Sequence, residues 1–191
     1  MTHRHFILHK PYGYLSQFVN NQNTRRNKKM LGDLGVFPDG TMSIGRLDEA
    51  SEGLLLLTTD GKVSEQVRSK KVEKEYYVQV DGEITNEAIE LLKLGVTISL
   101  KGKKYTTLPC KATGLNPAPE FGYRKNMRDK HRPTSWVSII ITEGKYRQVR
   151  KMTAAVGFPT LRLVRVRIGE LLLDNLPSGD SVEVADFGIK V

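Results

Sequence analysis

Four consecutive leucines, Leu54–Leu57, follow Gly53 and run into Thr59-Asp60-Gly61. A continuous apolar run of that length, bounded by turn residues, is the pattern of a buried strand. Upstream stands Ser43-Ile44-Gly45-Arg46-Leu47-Asp48. One isolated aspartate therefore sits on a loop that feeds a buried strand, and such a loop is a rigid platform for a reactive side chain. An exposed loop aspartate is also an ordinary turn or cap residue. Asp48 alone does not choose between the two readings.

The rest of the chain surrounds that strand with short elements. Phe6–Leu8 reads as a strand ended by Lys10-Pro11-Tyr12-Gly13, and Tyr14–Val19 is a second short run. The polar stretch 20–29 reads as an exposed loop able to touch phosphate. Leu31, Leu34, Val36 and Phe37 then restore an apolar anchor. Asp60 can cap a short helix through Ser69, with Val63 and Val67 on one face. Tyr76, Val78 and Val80 alternate in a strand with one buried side. Thr85 can cap a helix over 86–94 with Ile89, Leu91 and Leu92 inward and Gly95 after its end. Val96–Leu100 and Thr107–Ala112 read as two strands around a turn at Lys101–Lys104. Asn116–Arg132 is an irregular insertion, Trp136–Thr142 a strong strand, and Arg147–Val156 a helix with Val149, Met152 and Val156 on one face. Leu161–Val166, Glu170–Leu173 and Ser181–Val184 close the chain as short strands. The expected class is α+β, a mostly antiparallel mixed sheet in one domain over 1–191, with two sub-lobes dividing near residue 70. There is no Gly-rich phosphate loop.

Charge is unevenly spread. Of 30 Lys and Arg, twelve fall in residues 121–169, against two acids, for a local net of +10. The other 142 residues sum to −1. That concentration is the footprint of a nucleic-acid contact surface, although a solvated basic face has the same composition. Phe121 and Tyr123 stand among the basic residues of the insertion, a mix suited to stacking on bases. The single cysteine, Cys110, excludes an intramolecular disulfide and a cysteine zinc site, and fits a reducing, cytoplasmic setting. His3 and His5 lack a neighbouring carboxylate or cysteine and read as solvated terminal histidines, so no metal is expected. No apolar run is long enough for a membrane span, and the N-terminus lacks the pattern of a signal peptide.

Three features raise the functional reading of Asp48: Arg46 beside it, the apolar strand behind it, and the basic C-terminal half. A carboxylate can be a covalent nucleophile if a cationic partner keeps it ionised and aimed. Arg150, on the helix of the basic half, is a candidate for that partner.

At this point the motif Gly45–Gly61, GRLDEASEGLLLLTTDG, resembles the active-site signature of RsuA-type pseudouridine synthases. Lys74-Glu75-Tyr76 resembles that family's K-x-Y element, and Glu143–Gly157, EGKYRQVRKMTAAVG, its third element. Pro133–Trp136 and Phe158–Arg165 are similar to the branch that modifies 23S rRNA. The resemblance implies a synthase fold with two lobes around a central catalytic cleft. It implies isomerisation of one uridine in RNA to pseudouridine without cofactor or metal. Asp48 would be the nucleophile. Tyr76 would stack on the uracil, Arg150 would pair with Asp48, and Arg46 would fill the space left by the flipped base. Leu163 would wall the uracil pocket, and Lys74 and Arg147 would contact substrate. The expected partner is rRNA, 23S or its precursor, bound by a monomer without the S4-like domain that often begins such chains. His9 and Thr59 stand where asparagine is common, and neither departure is expected to touch the chemistry. The competing reading is a non-catalytic RNA-binding protein that keeps the fold; double-stranded DNA binding has no helix-turn-helix or zinc pattern behind it.

Overall fold

The structure is a computed structural model that describes residues 2–19, 28–69, 72–124 and 132–189. It is an α+β fold with three α-helices and eleven strands among those residues. The chain forms two compact units, Met1–Val72 with Arg165–Val191, and Glu73–Val164.

In the first unit, β1 (His5–Lys10) lies antiparallel between β11 (Ser181–Val184) and β3 (Glu52–Thr58). The register sets Phe6 opposite Leu57 and Leu8 opposite Leu55. A short β2 (Met42–Ile44) pairs with the end of β3. Every residue of β3 is buried, so the leucine run has cover on both faces. Leu55 and Leu57 join Phe6, Leu8 and Leu31 in one cluster, sealed by Phe18, Leu34 and Phe37. Each such leucine contributes about 1.5–3 kcal/mol on burial, so four in a row make β3 the spine of the unit. Val36 is fully exposed and is no part of that anchor. Tyr14–Val19 forms no strand; Tyr14 makes only an isolated bridge to Lys29. Helix α1 (Gly61–Ser69) begins where the Asp60 carboxylate accepts the Lys62 N–H at 2.8 Å.

In the second unit, β4 (Lys74–Asp81) runs antiparallel to β8 (Thr134–Ile141), and β7 (Lys111–Leu115) pairs with β8. Tyr76, Val78 and Val80 share the buried face of β4. The Thr85 hydroxyl accepts the Ala88 N–H and caps α2 (Asn86–Leu94), and Gly95 follows at φ 95°. Ala88, Ile89 and Leu92 are buried, whereas Leu91 is 52% exposed, because the turn that carries 88 and 92 inward swings 91 outward. The hairpin turns tightly at Lys101-Gly102, so Lys103 and Lys104 belong to its second strand and not to the turn. Its strands are β5 (Thr97–Leu100) and β6 (Lys103–Thr106), and 107–110 is irregular. Helix α3 (Gln148–Ala155) buries Val149 and Met152 together with Gln148 and Thr153. Strand β9 (Thr160–Ile168) holds the second crossing between the units, at Val164–Arg165, and β10 (Leu171–Leu172) folds back on its end.

Candidate active site

The loop Leu47–Ser51 is held at nearly every peptide. The Leu47 N–H donates to Ser16 Oγ at 3.0 Å, and the same hydroxyl donates to the Leu47 carbonyl at 2.7 Å. The Asp48 carbonyl accepts the Ser51 N–H at 2.9 Å, and the Glu49 carbonyl accepts the Gly13 N–H at 2.8 Å. The Glu49 carboxylate pairs with Lys28 Nζ, at 2.6 Å to Oε2. Leu47 is buried, Asp48 half-buried and Arg46 exposed. Asp48 thus stands at the mouth of a rigid turn with Arg46 free to project.

Lys10 ends β1 opposite Gly53 and is fully buried beneath this turn. Its ammonium donates to the Ser51 carbonyl at 2.7 Å and to the Pro11 carbonyl at 2.9 Å. Burial pushes its pKa from the usual 10.5 down to about 7, against the pull of Glu52, Asp48 and Glu49 and with a push from Arg165. The unfolded chain therefore binds more protons than the folded chain between about pH 7 and 10.5, and stability rises with pH across that window. Replacing Lys10 by Met is expected to flatten this slope. Wild type should gain up to about 2 kcal/mol relative to Lys10→Met between pH 7 and 9, read as urea unfolding at each pH. Equal slopes would show that the Lys10 charge does not titrate there.

Gly53 takes φ 108°, and a Cβ there would lie 2.3 Å from the Arg165 carbonyl oxygen. Arg165 is buried; its Nε donates to the Leu54 carbonyl at 2.8 Å, and its Nη2 has no hydrogen-bond partner among the described residues.

In the second unit, Tyr76 lies on the buried face of β4 and Leu163 is buried on β9. Lys74 opens β4 and is half-buried. Arg150 is half-buried on α3, and Arg147 is exposed at its N-cap in a left-handed conformation, φ 52°. The entry to that helix is tied by Glu143. Its carboxylate accepts from the Tyr105 hydroxyl, from the Leu108 N–H at 2.8 Å and from Gln148 Nε2 at 2.7 Å. Burial pushes the Glu143 carboxyl up, but those hydrogen bonds outweigh it and hold the group below its usual range. The same bond raises the Tyr105 phenol, which stays a donor.

The family model for RNA pseudouridylate synthase matches residues 4–155. The chain belongs to the RNA pseudouridylate synthase family. It is an isomerase. Ribosomal large subunit pseudouridine synthase E of Xanthomonas axonopodis pv. citri is 43% identical over 175 residues, covering 89% of this chain and 88% of that protein. Ribosomal large subunit pseudouridine synthase B of Bacillus subtilis is 32% identical over 188 residues, covering 97% of this chain and 70% of that protein. A crystal structure of a pseudouridylate synthase superposes with a TM-score of 0.73 at 28% identity, over 95% of this chain and 70% of that one.

Several residues of this synthase do not stand out in its sequence. Lys10 passes as part of a turn after a strand, because burial of a lysine leaves no periodic mark. Ser16 and Glu143 act through partners 31 and 35 residues away. Arg162 is not on a basic face: it donates to the Gly122 carbonyl at 3.1 Å and stacks over Phe121. Phe121 packs between Tyr77 and Trp136 and is occupied there, whereas Tyr123 is 89% exposed. Most of the 20–29 loop, and 125–131 of the insertion, lie outside the described residues. His5 is buried, with Nδ1 on the Thr58 hydroxyl at 2.9 Å, and is not a solvated histidine. Among the described residues no group of three His, Cys, Asp or Glu could hold a metal ion, and no helix is long and apolar enough to cross a membrane. Burial raises the Cys110 thiol to about 11, which makes it a poor nucleophile.

Proposed function

We propose that this synthase converts one uridine of 23S rRNA, or of its precursor, to pseudouridine, with Asp48 as the nucleophile. The observation that carries the proposal is the Asp48 turn. Its backbone is clamped on both sides of the aspartate, and Asp48 itself is half-buried. The names of the relatives support a large-subunit rRNA target.

The reaction breaks the C1′–N1 bond, joins C1′ to C5, releases the C5 proton to water, and leaves N1 to take up a proton in its place, so that substrate and product are isomers. A stacked base hides that bond, so the nucleotide must leave the helix, at a cost of a few kcal/mol. In this reading Arg46, exposed beside Asp48, fills the gap. Tyr76 stacks on the uracil and assists loss of the C5 proton, and Leu163 forms an apolar wall. Arg150 serves as the cationic partner of Asp48. Lys74 and Arg147 hold the RNA backbone. The enzyme works as a monomer in the cytoplasm, where its substrate is made, and its own residues supply the whole chemistry without metal or cofactor.

The test is unmodified 23S rRNA carrying tritium at uracil C5. The expected result is release of tritium to water in proportion to one uridine per molecule. Tight binding with no release from any rRNA fragment would overturn the reading and leave an RNA-binding protein.

A further inference from the structure

We propose that Ser16 is a positioning residue for Asp48, a role that rests on the reading of Asp48 as nucleophile. The side chain is buried, and one oxygen serves both polar groups of Leu47, taking its N–H at 3.0 Å and donating to its carbonyl at 2.7 Å. The Leu47 carbonyl belongs to the peptide plane that enters Asp48. The plane that leaves Asp48 is fixed by the Ser51 N–H on the Asp48 carbonyl at 2.9 Å. Both planes around the Asp48 Cα are therefore held. Ser16 is itself braced, since its carbonyl accepts the Ser43 hydroxyl at 2.9 Å.

Only a hydroxyl does this work. A single oxygen must donate and accept within one residue's reach, and serine and threonine are the small side chains that provide it. Alanine at 16 would leave a buried N–H and a buried carbonyl without partners, and the entering peptide plane would turn to find others. A turn of that plane swings the carboxylate through a distance on the order of 1 Å, which is enough to cost roughly a hundredfold in rate. Apart from Arg46, the residues read as RNA contacts, Tyr76, Leu163, Lys74 and Arg147, lie on other elements, so KM should move less than kcat. The role is thus specific: Ser16 sets the direction of the nucleophile and contributes little to binding.

The experiment compares wild type, Ser16→Ala, Ser16→Thr and Thr58→Val. Thr58 carries a buried hydroxyl at the other end of β3, bonded to His5 and to the Asp60 N–H, and serves as a control for loss of a buried hydroxyl. Tritium release gives kcat and KM, and hydrogen exchange gives the protection of the Leu47 amide. Ser16→Ala should lose roughly ten- to a hundredfold in kcat with KM within about threefold of wild type. Its Leu47 amide should lose protection. Ser16→Thr should recover most of both, and Thr58→Val should lower Tm with kcat intact. The proposal falls if Ser16→Ala keeps wild-type kcat, if Ser16→Thr is no better than Ser16→Ala, or if Thr58→Val loses kcat as much. It falls equally if the Leu47 amide exchanges alike in wild type and Ser16→Ala. A wild type that releases no tritium, yet shows Leu47 protection lost in Ser16→Ala, overturns the nucleophile reading and not the clamp.

Discussion

Asp48→Asn is expected to abolish tritium release, with a loss of more than about a thousandfold in kcat, while leaving the protein folded and able to bind rRNA. The amide keeps the shape of the side chain, and the Ser51 N–H on the Asp48 carbonyl and the Ser16 hydroxyl on the Leu47 carbonyl remain. A half-buried isosteric change of this kind shifts stability by about 0.5 kcal/mol or less, so Tm should stay within about 2 °C. The Asp48 carboxylate is among the groups that help keep the Lys10 ammonium charged. With that carboxylate gone, Lys10 should lose its proton at lower pH than in wild type, visible as an earlier rise in stability with pH. Retention of turnover by Asp48→Asn would remove Asp48 from the chemistry.

Gly53→Ala is expected to have the largest effect on folding. At φ 108° the backbone is in a region that L side chains rarely adopt. The added Cβ would also lie 2.3, 2.6 and 2.9 Å from the oxygen, nitrogen and carbonyl carbon of Arg165, all backbone atoms that cannot rotate aside. Strand β3 would have to move from β9 at the point where Arg165 also holds the Leu54 carbonyl. The two terms together cost about 3–5 kcal/mol. Gly40→Ala makes the comparison sharp, since Gly40 has φ 80° and nothing within 4 Å of a Cβ. It should lose only about 1–2 kcal/mol, the cost of the torsion alone. Urea unfolding of the two variants measures the difference, and equal losses would show that the close approach to Arg165 is unimportant.

The parts of the fold that sequence reveals are those with local signals. The leucine run bounded by glycine and Asp-Gly, the alternation of Tyr76, Val78 and Val80, and the Thr85 cap each state their own structure, and each is where the pattern puts it. Boundaries are lost where side chains replace strand pairing. Thr107 looks like the start of a strand, but its hydroxyl accepts the Val96 N–H at 3.0 Å and the chain stays irregular to Cys110. Leu91 and Val36 look like core because they are apolar, and nothing nearby says that their neighbours fill the interior first. Asp48, Tyr76 and Arg150 are legible as candidates because short motifs surround them. Lys10 and Ser16 are not, because what marks them is burial and a partner far along the chain.

The interior arginines change how the basic segment meets a polyanion. Arg162 spends its charge on a carbonyl and an aromatic ring, and Arg165 on the Leu54 carbonyl inside the core. Both are buried, so neither can pair with a phosphate and release a counterion from it. Of the twelve cations in residues 121–169, two therefore stand outside the counterion exchange that gives RNA binding its salt dependence. Two guanidinium groups that look like landing sites for phosphate are rivets of the sheet, and the electrostatic grip on RNA belongs to the side chains outside it.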